Sequence, residues 1–61
     1  MADDQELVTV LNAVTFLRMA VIEMQRIATD RPDIADRLEV IIEKCEAEIV
    51  ELRERFRLPS G

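Results

Sequence analysis

Residues 7–35 read LVTVLNAVTFLRMAVIEMQRIATDRPDIA, and this stretch decides the fold. Leu7, Val10, Val14, Leu17, Val21, Met24 and Ala28 follow an alternating three-four spacing, which lays one apolar stripe along one side of a helix. The pattern then breaks over Thr29-Asp30-Arg31-Pro32-Asp33. Proline disfavours helical geometry at Arg31 while fitting the first turn of a following helix. From Ala35 the same spacing restarts and runs through Leu38, Ile42, Cys45, Ile49, Leu52 and Phe56. Two seams of equal length across a proline-marked turn predict an all-α antiparallel helical hairpin. It forms a single domain over residues 1–61, with helix one over about 4–29, a turn over 29–32 and helix two over about 32–57.

The ends of the helices carry matching signals. Asp3 or Asp4 can cap helix one, and Asp3 with Glu6 has capping-box spacing. Asp33 and Asp36 fall in the first turns of helix two and Arg53, Arg55 and Arg57 in its last, as the helix dipole favours. Antiparallel packing then sets the acidic start, Asp3, Asp4 and Glu6, beside that basic end. Lys44 with Glu48, and Glu51 with Arg55, have the spacing of ion pairs on one helix surface.

A lone pair of helices has no interior layer, and the chain carries no disulfide pair or metal-ligand set to compensate. Self-association is therefore expected, and helix one indicates how. Beyond its seam it carries Val8, Leu11, Ala13, Phe16, Ala20, Ile22 and Ile27, an apolar surface too wide for one neighbour. Ala13, Ala20 and Ile27 recur every seven residues beside the seam, and the two alanines permit close approach. A dyad placing helix one against its symmetry mate makes a homodimeric four-helix bundle. The expected dimer core is thus Leu7, Val10, Val14, Leu17, Val21, Met24, Leu38, Ile42, Cys45, Ile49, Leu52 and Phe56, joined by Ala13, Ala20 and Ile27.

With 13 acids against 8 bases the net charge is −5, which argues against broad nonspecific binding to nucleic acid or anionic membranes. The single cysteine and the lack of a basic, then continuously apolar, N-terminus point to the cytoplasm. Leu7 to Met24 is the one membrane candidate. Asn12 and Arg18 interrupt it, and a central arginine costs ~2.5 kcal/mol or more on insertion scales.

The residue inventory is poor in catalytic groups. His, Tyr and Trp are absent and serine occurs only at Ser60, which leaves carboxylates and Lys44 for acid-base work with nothing placed to tune them. A noncatalytic protein without cofactor, metal or small-molecule substrate is expected. Glu39, Glu43 and Glu46 lie near one another on helix two, but bundle metal sites also use an inward Glu-x-x-His that this chain cannot make. They read as a solvated acidic face. Cys45 reads as a small core hydrophobe, with a redox switch at the dyad as the alternative. Met24 reads as core, with Phe16 and Met19 at the margin of the bundle, and a plastic surface of the three for another protein's helix is the alternative.

The segment Thr9-Val10-Leu11-Asn12-Ala13-Val14-Thr15-Phe16-Leu17-Arg18 resembles the Thr-x-Leu-Asn-x-x-x-Phe-Ile-Arg segment of the Rop family. Members of that family are small helical-hairpin dimers that help control plasmid copy number by binding a complex of two paired RNA loops. The resemblance implies an antiparallel four-helix bundle with Val10, Val14, Leu17, Val21, Met24 and Ala28 in the core. It also sets Asn12 and Phe16 outward, where the family's RNA-contacting Asn and Phe lie. The chain departs from the family at Ala20, where the RNA face has glutamine, and at Gln5 and Ile27, where it has lysines. Arg18 and Arg26 are the bases of helix one.

The function expected from these residues is that of a small homodimeric adaptor or regulator. It binds another macromolecule, a protein first, through the outer side of helix one at Asn12, Phe16, Arg18 and Met19. Rop-like RNA binding through Asn12, Phe16 and nearby Arg18 is the alternative. A further one is a subunit of a hetero-oligomeric bundle whose partner chain covers helix one.

Overall fold

The computed structural model describes residues 4–58 and consists of two helices, α1 (Asp4–Asp30) and α2 (Pro32–Arg55). They pack side by side as a rod with extents of 45 × 16 × 14 Å. Asp4 opens the first helix, and the proposed Asp3 cap lies outside the described residues.

The connection is shorter than the turn expected over 29–32, because α1 continues to Asp30 and only Arg31 separates the helices. The Arg31 N–H still donates to the Ile27 carbonyl at 2.7 Å, while its own carbonyl accepts from the Ile34 N–H at 3.1 Å. One residue therefore ends one ladder and starts the next. Its backbone (φ −127°, ψ 78°) lies outside the helical region, where the following proline pushes it, and Pro32 occupies the first turn of α2. The Arg31 guanidinium straddles the proline to hold the Asp33 carboxylate through two hydrogen bonds of 2.9 and 2.6 Å.

At the other end α2 stops at Arg55, two residues before the expected limit. Arg57 has a left-handed backbone (φ 53°), and the Leu58 N–H reaches back to the Arg53 carbonyl at 2.9 Å. That six-to-one bond is the signature of a Schellman helix end, with arginine in the place usually held by glycine. The reversal folds Leu58 back until it is 8% exposed and clusters with Val14 and Ile49.

Every residue of the two seams is buried or half-buried, and the further apolar residues of α1 are exposed. In heptad terms Leu7, Val14, Val21, Ala28, Ala35, Ile42, Ile49 and Phe56 take position a, and Val10, Leu17, Met24, Leu38, Cys45 and Leu52 take position d. The two rows are covered unequally. The central a residues Val14, Val21, Ile42 and Ile49 are buried, whereas every d residue is half-buried. The seam is closed on its a side and open on its d side.

Asp4 and Glu6 share the open end of the rod with Arg53 and Arg55. Among the described residues the expected pairs Lys44–Glu48 and Glu51–Arg55 do not close. Long exposed side chains gain too little from such contacts to offset the rotamer freedom lost. Ion pairs do form between Arg26 and Glu23 at 3.4 Å and between Arg31 and Asp33 at 2.6 Å.

Candidate functional site

Asn12, Phe16 and Met19 come together on the outer side of α1. Asn12 and Met19 are seven residues apart and stand on one line, with Phe16 beside them. Phe16 is 67% and Met19 56% exposed, and Val8 and Ile22 extend the apolar surface on the same helix. The neighbouring threonines reinforce its character. Thr9 and Thr15 donate their hydroxyls to the carbonyls of Gln5 (3.0 Å) and Leu11 (2.9 Å), so their polar atoms are engaged within the helix.

Arg18 does not join this group. Two residues from Phe16, it points about 160° away around the helix. It lines an open groove of about 270 Å³ with Val21, Ile22, Glu46 and Ile49. The groove continues along the closed flank of the seam, where Gln25, Ala28 and Thr29 of α1 face Ala35, Glu39, Ile42 and Glu46 of α2. Arg18 and Gln25 from one helix and Glu39 and Glu46 from the other give this flank a polar border around the apolar floor of Val21, Ile42 and Ile49. Among the described residues no group of three or more His, Cys, Asp or Glu side chains is arranged to hold a metal ion.

The opposite flank differs in kind. Beside the half-buried d row, α1 presents Ala13, Ala20 and Ile27, and α2 presents Ile34 and Ile41 at the equivalent heptad position. Ile41 is 47% and Ile27 37% exposed, and Ile34 is half-buried. Sequence reasoning singled out the residues of α1 and passed over Ile34 and Ile41. Their seven-residue recurrence carried the same signal. Cys45, a free thiol, sits half-buried in the middle of this open row.

The charged pair at the turn is isolated from both surfaces. Hydrogen bonding to Arg31 lowers the Asp33 pKa below its ordinary value, and the same contact raises that of Arg31. Both groups are solvent-exposed, and their geometry serves the turn.

At 27 residues α1 is also long and apolar enough to cross a membrane, a property that core helices of soluble bundles share. Comparison with protein-family models, with curated proteins and with solved structures finds no match.

Proposed function

We propose that this chain is a noncatalytic interaction module that works as a homodimer. Two hairpins join along their open flanks into a four-helix bundle, and the outer side of α1 is left to bind another macromolecule, a protein in the first instance. The observation that carries this reading is that α1 has an apolar surface wider than its own hairpin covers, running from Ala13, Ala20 and Ile27 beside the seam to Phe16 and Met19 on the outer side. A second copy of the chain can cover the part beside the seam, which leaves the outer part for a partner.

The surface area supports self-association. The chain exposes 5015 Å², about 1,000 Å² more than the ~4,000 Å² of a compact monomer of its 7.0 kDa mass. A standard interface buries about 800 Å² per partner, so the excess is of the size one dimer contact removes. Arg18, set near the middle of α1, favours a helix kept among protein neighbours in the cytoplasm over one crossing a bilayer.

Sedimentation equilibrium at low micromolar concentration, with circular dichroism on the same sample, tests the first half. A helical dimer that melts cooperatively is expected; a weakly helical monomer would indicate a different chain as the missing partner. Binding in a salt series tests the second half. Phe16→Ala or Met19→Ala should weaken a protein complex about tenfold or more with little dependence on salt. Affinity for structured RNA that falls steeply with salt would instead support the Rop-like reading of Asn12 and Phe16. Flotation of the chain with lipid vesicles would overturn both in favour of a membrane helix.

A further inference from the structure

We infer that the two hairpins associate with their turns at the same end, so that α1 of each copy packs against α2 of the other. The inference rests on the homodimer proposed above and settles how its halves face one another. Because the central a residues are buried inside each hairpin and the whole d row lies half open, the second copy arrives on the d side. Two twofold arrangements do this. In one the dyad runs along the rod and α1 meets the partner's α2; in the other the dyad crosses the rod and each helix meets its own symmetry mate, the arrangement first expected from helix one alone. The d rows are apolar in both, so the flanking residues decide.

Counted outward from Arg31, Ile27 stands level with Ile34, Ala20 with Ile41, and Ala13 with Glu48. With both turns at one end these levels are kept between copies. Ile27 then meets Ile34 of the partner subunit, Ala20 meets Ile41 of the partner subunit, a small side chain against a large one, and Ala13 meets Glu48 of the partner subunit, the one mismatch on each side of the dyad. At the far end Glu6 comes level with Arg55 of the partner subunit, acid against base.

Reversing one hairpin scrambles this match. Along the α2 pair, Ile41 would face Glu48 of the partner subunit, and Ile34 would face Arg55 of the partner subunit. Along the α1 pair, Glu6 would face Ile27 of the partner subunit, and only Ala13 with Ala20 would remain apolar. Each mismatch recurs on both sides of the dyad and asks a charged group to give up water beside an isoleucine. The same-end arrangement has fewer such contacts and adds a complementary one.

The arrangement changes what the outer surface of α1 can do. With α1 against the partner's α2, the two α1 helices occupy diagonal corners, and their Phe16 and Met19 surfaces are separate. Each dimer then offers two independent sites and binds two partner molecules. The reversed bundle would fuse the two surfaces into one composite face of two α1 helices.

Distance measurement between spin labels separates the cases. The label goes on Asp30→Cys in a Cys45→Ala background, at the exposed turn end of α1, and electron double resonance reads the distance between copies. The same-end bundle predicts about 15–25 Å, set by helix spacings of 8–10 Å plus the label arms. The reversed bundle predicts a distance near the full 45 Å length of the rod. A second label at exposed Glu54→Cys, at the opposite end, must give the same answer and covers the failure of either variant to fold. A long distance in a sample that sediments as a dimer overturns the arrangement alone. A monomer without dipolar coupling overturns the homodimer itself.

Discussion

The closed and open flanks of the seam are built from the same two helices, yet only one finds its complement within the chain. On the closed flank the a rows meet, and polar side chains, Arg18 and Gln25 against Glu39 and Glu46, border them. On the open flank the d rows stay half-buried, and isoleucine and alanine border them toward the turn, with Glu6, Glu48 and Arg55 toward the far end. Water is a good neighbour for the first border and a poor one for the second. Under the proposed homodimer, the flank that each hairpin leaves uncovered is the one that carries the quaternary contact.

The strongest way to break this comparison is to remove a buried side chain from the closed row. Ile42→Ala should cost about 2–5 kcal/mol by thermal or denaturant unfolding. Leu17→Ala on the open row should reach that range only at concentrations where the dimer forms. If both variants melt like wild type, the register is wrong. A charge on the open flank is the next largest perturbation. Ile41→Lys should weaken dimerisation about 100-fold or more, about 2.7 kcal/mol, while leaving the closed row intact, and sedimentation would read the loss directly.

Smaller changes sharpen the closed side. Arg57→Gly relieves a side chain held at positive φ and should stabilise the chain by about 0.5–1 kcal/mol, seen as a higher melting temperature. Glu43→Ala, exposed and away from both rows, should stay within about 0.5 kcal/mol of wild type. The turn pair has the least effect of all. Its aspartate pKa is depressed, so the pair supports folding above the ordinary carboxylate range and its contribution fades as pH falls through the lowered value. Asp33→Asn should abolish that small acid-side dependence while leaving the melting temperature near pH 7 almost unchanged.

The hairpin was legible because every one of its seam positions had to be apolar and Pro32 marked the reversal. What the spacing did not distinguish was a from d, since a heptad stripe contains both and only the rotation of one helix against the other decides which row is buried. The same ambiguity hid the match of Ile34 with Ile27 and of Ile41 with Ala20. Arg18 was grouped with Phe16 because they are close in sequence, although the helical turn sends them to different flanks. Leu58 was missed for another reason. A helix end of this kind is normally announced by glycine, and arginine at 57 concealed it, although Pro59 following Leu58 was a cue.

The one-residue connection at Arg31 also sets a sequence of events in time. Loop-closure entropy is smallest for contacts nearest the turn, so the Ala28–Ala35 level can form first and each later level needs only a small extension. Zippering would proceed along the rod toward Leu7 and Phe56, with the Leu58 reversal closing last. Pulse labelling during refolding should then find amide protons protected near the turn before those toward the Leu58 end, an order that a longer, slacker loop would blur.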